Sequence, residues 1–107
     1  RSKNMILGPS GQNIYPEEIE DRLNALPYVS ESLVIEKDGK LIALVYPDYE
    51  VVKKEKISPE QLKTKMDENR KLLNHMLPMY SQVARLKIQE TEFEKTPKRS
   101  IKRYLYQ

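Results

Sequence analysis

The sequence has no cysteine and a single histidine, His75. The first absence excludes a disulfide framework and any cysteine-ligated metal site. The second leaves neither an ordinary zinc site nor a serine–histidine–aspartate constellation. His75 falls beside apolar residues on a helical stretch, reads as a boundary residue and is assigned no role. No apolar run approaches the ~20 residues of a membrane-spanning helix, and no signal peptide is visible. A cytoplasmic protein is expected. The first residue is Arg1 rather than Met, and it reads as an internal position of something longer.

Charge is abundant but nearly balanced. Of the 107 residues, 33% are charged and 38% hydrophobic, with 19 basic against 16 acidic side chains and a net charge of +3. A chain of this length forms one domain and buries roughly 60–65% of its unfolded surface, enough for one small core. The overall charge does not point to nucleic acid, but its distribution is uneven. Residues 95–103 hold five cations, Lys95, Lys98, Arg99, Lys102 and Arg103, around a Thr96-Pro97 turn. A segment of that kind is poor as core and suited to a phosphate or carboxylate.

Local patterns predict the elements. Asn4-Met5-Ile6-Leu7 reads as a short strand, Gly8-Pro9-Ser10-Gly11 as a tight loop, and Asn13-Ile14-Tyr15 as a second strand. Pro16 suits the first position of a helix, with Glu17 and Glu18 in its first turn. Ile19, Leu23 and Leu26 give that helix one apolar face, and Pro27 ends it. From Ser32 to Tyr46, two β-rich runs flank Asp38-Gly39, a strong signal for a two-residue hairpin turn. The stretch 49–57 reads as an exposed connection. Ser58, Pro59 and Gln61 spell a capping box, opening a helix that turns Leu62, Met66, Leu73 and Met76 or Leu77 inward and stops before Pro78. Gln82 to Gln89 alternates, with Ala84, Leu86 and Ile88 on one face and Arg85 and Lys87 on the other. The expected architecture is α+β: a small antiparallel sheet of about three strands with two packed helices, plus an N-terminal two-stranded hairpin.

Two segments carry a resemblance when taken together. Residues Arg1-Ser2-Lys3-Asn4-Met5-Ile6 and Ser10-Gly11-Gln12-Asn13-Ile14-Tyr15-Pro16-Glu17-Glu18-Ile19-Glu20 resemble G-R-x-(D/K)-x-x-I … G-x-x-(I/V)-x-P-x-E-(I/V)-E of the adenylate-forming superfamily. Residues Glu94-Lys95-Thr96-Pro97-Lys98-Arg99-Ser100-Ile101-Lys102-Arg103 resemble its P-K-T-x-x-G-K-(I/V)-x-R signature. That superfamily holds acyl-CoA synthetases, peptide-synthetase adenylation domains and luciferases. The resemblance covers essentially the whole chain and implies that residues 1–107 are one domain, the small C-terminal swinging domain of a larger AMP-forming ligase. Phe93-Glu94-Lys95-Thr96-Pro97 looks like the long-chain fatty-acid–CoA ligase branch, and Leu77-Pro78-Met79-Tyr80 resembles the family's L-P-x-Y.

The resemblance implies a two-step reaction in the parent. ATP and a fatty acid form an acyl-adenylate and pyrophosphate, and coenzyme A then displaces AMP. It implies ATP, Mg2+ and coenzyme A as cofactors and co-substrates, none held tightly by this piece, which is inactive alone. The N-terminal domain of the same polypeptide is the expected partner; no nucleic acid is expected, and peripheral membrane association of the parent is left open. Position by position, Lys3 falls at the hinge, and Gly11, Gln12 and Asn13 on the loop facing the pantetheine arm. Lys95, Arg99 and Arg103 fall among the phosphate- and anion-binding cations. Glu17, Glu18 and Glu20 match the acidic start of the helix and read as dipole and solubility residues. The family's catalytic lysine aligns with Ser100, which carries no charge. Lys98 and Lys102 stand two residues to either side, and in an extended segment residues two apart point the same way. Each is therefore a candidate replacement. Two other readings stay open: a small nucleic-acid or anionic-surface binding module built on the basic cluster, and a family member that has lost adenylation.

Overall fold

The computed structural model describes residues 5–8 and 11–106. Lys3, the expected hinge, lies outside the described residues. The chain opens with strands β1 (Ile6–Leu7) and β2 (Asn13–Ile14), paired antiparallel. Helix α1 (Pro16–Asn24) follows, with Pro16 in its first turn and Ile19 and Leu23 buried as their spacing requires. It stops two residues short of Pro27. Strands β3 (Val29–Lys37) and β4 (Lys40–Pro47) form the main antiparallel pair. Their turn has φ 54° at Asp38 and 76° at Gly39, the left-handed pair that a two-residue primed turn demands.

Three features differ from the expectation. The stretch after β4 is not a plain connection, because residues 49–54 form helix α2 (Tyr49–Lys54). Asp48 caps it by accepting from the Val51 N–H at 3.4 Å, and Val52 anchors it in the core. The long helix α3 (Pro59–Met76) begins at the expected capping box, with Ser58 N–H donating to Gln61 Oε1 at 2.9 Å and Gln61 N–H to Ser58 Oγ at 3.2 Å. The third strand, β5 (Val83–Ile88), then pairs with β4 in parallel, so the sheet is mixed rather than antiparallel. A parallel neighbour needs a long crossover, and α2 with α3 supplies it.

The second strand-level difference is a bulge. Leu41 faces Val83, but Ile42 faces Arg85, so Ala84 is the extra residue. Alternation restarts there: Val83 is buried, Leu86 and Ile88 pack on the helix-side core, and Ala84 is exposed. On α3, Leu62, Met66 and Leu73 are inward as expected, Met76 is outward, and Asn69 is buried with its amide donating to the Pro27 carbonyl at 2.7 Å.

The sheet is covered on both faces. Helices α1 and α3 bury Val34, Ala43 and Val45 against Leu23, Met66 and Leu73. On the opposite face, Leu33, Ile35 and Leu44 are covered by the segment after β5, through Phe93, Ile101 and Tyr106. The Phe93 and Tyr106 rings meet edge-to-face at 5.1 Å, and the Tyr106 hydroxyl accepts from the Glu94 N–H at 2.8 Å. The basic segment is thus laid on the sheet instead of trailing from it.

Candidate functional site

The basic segment folds into a small hairpin. Lys95 bridges Ile101 in antiparallel fashion. Pro97, with its preset φ, takes the second place of a turn closed by Arg99 N–H to the Thr96 carbonyl at 2.8 Å. Thr96 N–H then donates to the Ser100 carbonyl at 2.8 Å, and Ser100 N–H to Thr96 Oγ1 at 3.3 Å. The return requires a left-handed residue, and Arg99 supplies it at φ 68°. The signature P-K-T-x-x-G-K-(I/V)-x-R places its glycine at this position. Arg99 therefore occupies a backbone state that suits glycine, and its alignment with the signature's glycine was the hint available in the sequence.

This geometry separates the five cations. Lys95 Nζ lies 2.8 Å from Glu31 Oε2 and 3.0 Å from Oε1. Arg103 donates to Glu20 Oε1. Among the described residues, Lys98, Arg99 and Lys102 have no ion-pair partner, and Lys98 and Arg99 are exposed at the tip. Lys95 and Arg103, expected among the anion-binding cations, are each ion-paired with a carboxylate of the domain's body. The premise that residues 98–102 are evenly extended fails. Lys98 sits in the turn and the left-handed Arg99 lies between it and Ser100, so Lys98 and Ser100 do not share a face by simple alternation.

Glu20 is a second correction. It is not a solvated helix-dipole residue; it is buried, with Oε2 accepting from the Val34 N–H at 2.8 Å and Oε1 from Arg103. Burial pushes its carboxyl above the usual carboxylate range, against the opposing pull of Arg103 and the Val34 N–H. Sequence reasoning assigned it to the surface because three glutamates cluster at the start of α1. Its place one residue after the inward-facing Ile19 was the available hint.

Ser100 and Arg99 line a cleft of about 640 Å³ between the hairpin and α1; Lys98 and Lys102 do not line it. The glycine loop belongs elsewhere. Gly8 N–H donates to the Gln12 carbonyl at 2.8 Å, and Gly11 N–H to the Gly8 carbonyl at 3.0 Å. Gly11 has φ 85° with open space where a Cβ would stand, so backbone conformation, not crowding, calls for glycine. Asn13 is exposed on β2, and Gln12 is half-buried with an Oε1 unpartnered among the described residues. A cleft of about 230 Å³ beside Gly8 involves Ile14, Met79 and Tyr80 and shares no residue with the Ser100 cleft. Gly11, Gln12 and Asn13 line neither cleft, and the glycine loop and the Ser100 turn stand as two separate stations. A wider groove, about 1010 Å³ between α3 and β5, contains none of their residues.

The domain thus combines a mixed three-stranded sheet with helices on one face, a short glycine-turn hairpin, and a basic hairpin held by two ion pairs. The chain belongs to the AMP-binding enzyme C-terminal domain family, whose pattern matches residues 3–106. No curated protein sequence matches it significantly. Among solved structures, it resembles the adenylation domain of a carboxylate reductase from Mycobacterium chelonae, with TM-score 0.80, 19% identity, and 96% of this chain against 17% of that one. It also resembles a fatty acyl CoA synthetase from Mycobacterium tuberculosis, with TM-score 0.61, 27% identity, and 96% against 19%. An acyl-CoA synthetase from Brucella canis gives TM-score 0.69, 24% identity, and 98% against 18%. The chain spans less than a fifth of each of these proteins.

Proposed function

We propose that this chain is the C-terminal domain of an AMP-forming long-chain fatty-acid–CoA ligase. The observation that carries the reading is the Lys95–Ile101 hairpin, which sets an exposed basic tip at the position of the family's adenylation signature. In the first step a fatty-acid carboxylate oxygen attacks the α-phosphorus of ATP and pyrophosphate leaves. Negative charge gathers at the α-phosphate, and a fixed cation there offsets it, an effect worth about 3–4 kcal/mol for a preorganised donor. Lys98 or Lys102 supplies that charge in place of the uncharged Ser100. In the second step the thiolate of coenzyme A attacks the acyl carbonyl and AMP leaves. The Gly11 loop, open on its outer side, takes the pantetheine arm with Gln12 and Asn13 beside it. Mg2+ belongs with the ATP phosphates in the parent, and no residue of this domain is assigned to it. The long-chain preference rests on Phe93-Glu94-Lys95-Thr96-Pro97, supported by the likeness to a fatty acyl CoA synthetase.

The test uses the full-length parent and palmitate-dependent pyrophosphate exchange. Lys98→Ala or Lys102→Ala is expected to lower exchange by roughly 10²–10³. Unchanged exchange in both variants overturns the substitution of either lysine for the missing one. A second reading is favoured by one specific observation: Ser100 itself lines the cleft, while neither lysine does. In that reading the parent has lost adenylation and keeps only the thioester step, and formation of acyl-adenylate by the wild type dismisses it.

A further inference from the structure

The turn that carries Ser100 is tied to the body of the domain on both stems. On the incoming stem, Lys95 meets Glu31 of β3, with both side chains about a quarter exposed, at 24%. Just past the outgoing stem, Arg103 meets Glu20 of α1, which is itself fixed by the Val34 N–H.

Glu31 faces the turn because of an irregularity in β3. Val29 belongs to the helix-side core, whereas Leu33 belongs to the core beneath the C-terminal segment. In an unbroken strand, residues 29, 31 and 33 would share one face. The register slips between Val29 and Glu31, where Val29 faces Pro47 and Glu31 faces Tyr46. That bulge reverses the alternation and turns Glu31 to the side of Leu33, where Lys95 lies. Bulges that re-aim one side chain are a recurring device beside working sites.

From this arrangement we infer that Glu31, acting through Lys95, is a positioning residue for adenylation, with Glu20 acting in the same way through Arg103. The inference rests on the proposed function. Neither glutamate touches a reacting atom. Their effect is to fix where the tip of residues 98–100 stands when the domain is presented to ATP, and a misplacement of about 1 Å costs on the order of 10² in rate. The Gly11 station shares no residue with this turn, so loosening the clamp weakens the first half-reaction and spares the second.

The experiment is made on the full-length ligase. Glu31→Gln and Lys95→Met are expected to lower palmitate-dependent pyrophosphate exchange by roughly 10–100-fold. Thioester formation from supplied palmitoyl-adenylate stays within about twofold, because that step does not depend on the exact placement of this turn. Lys95→Arg keeps most of the exchange, and the reversed pair Glu31→Lys with Lys95→Glu recovers much of it. Amide hydrogen exchange at Thr96, Arg99 and Ser100 should accelerate roughly tenfold in Glu31→Gln, the loss of about one charge-assisted hydrogen bond. Equal losses in both half-reactions, with no recovery in the reversed pair, overturn the inference in favour of a purely structural bridge. Full exchange activity in Glu31→Gln overturns it outright while leaving the proposed function standing. A wild type that exchanges pyrophosphate with no fatty acid overturns the proposed function and this role with it.

Discussion

Glu20 and Arg103, separated by 83 positions in the chain, form an ion pair that joins the first helix to the end of the basic hairpin. Only 9% of the Glu20 side chain and 16% of the Arg103 side chain reach solvent. Removing one partner of so enclosed a pair leaves the other charge buried and uncompensated. Arg103→Ala is expected to destabilise the domain by about 3–5 kcal/mol, while Glu20→Leu with Arg103→Met loses far less. Urea denaturation checks both; a loss below about 1 kcal/mol for Arg103→Ala would show the pair to be effectively solvated.

The same carboxyl sets a pH dependence. Burial raises the Glu20 pKa in the folded state above the ordinary glutamate value of 4.5. A raised folded pKa means that the folded chain holds the proton more tightly than the unfolded one. This group's contribution is therefore full below pH 4.5 and is lost as pH rises through the folded value. Glu20→Gln removes the titration, so the stability of wild type relative to that variant should fall as pH is raised from below 4.5. Parallel stability curves for the two proteins across this interval would contradict the assignment.

Arg99 sits at φ 68° without a glycine's freedom. Left-handed backbone costs a side-chain-bearing residue about 1–2 kcal/mol, partly offset by the greater entropy glycine loses on folding. Arg99→Gly is expected to stabilise the domain by about 1 kcal/mol in chemical denaturation. Arg99→Ala, with the same φ imposed on a Cβ, should bring no such gain.

At Gly11 the sign reverses. With φ 85° and nothing within 4 Å of the Cβ position, Gly11→Ala meets no steric neighbour, and its whole effect is backbone strain. The expected loss is about 1–2 kcal/mol. The proposed function assigns this loop to the thioester step, so in the full-length parent thioester formation should fall more than pyrophosphate exchange. A larger loss in exchange than in thioester formation would place Gly11 with the wrong step.

The amino-acid sequence by itself determined much of what is decided within a few residues, although the short helix capped by Asp48 went unread. Asp38-Gly39 made the hairpin turn, Ser58 with Gln61 capped the long helix, Pro16 opened the first one, and the spacing of Ile19 and Leu23 chose its buried face. The two signature segments were equally legible, since each is a contiguous run, and with them the family. Tertiary structure decided what depends on distant partners. The third strand runs parallel because α2 and α3 carry the chain back across the sheet, and Ala84 turns outward because a bulge restores register against β4. Most of all, five cations that look equivalent in the sequence are divided by the fold. Glu31 stands 64 positions from Lys95 and Glu20 stands 83 from Arg103, so no local pattern could pair them. Ion pairs follow distance in space, and only the folded chain shows that two of the five cations hold the turn while Lys98 and Arg99 are left exposed at its tip beside Ser100.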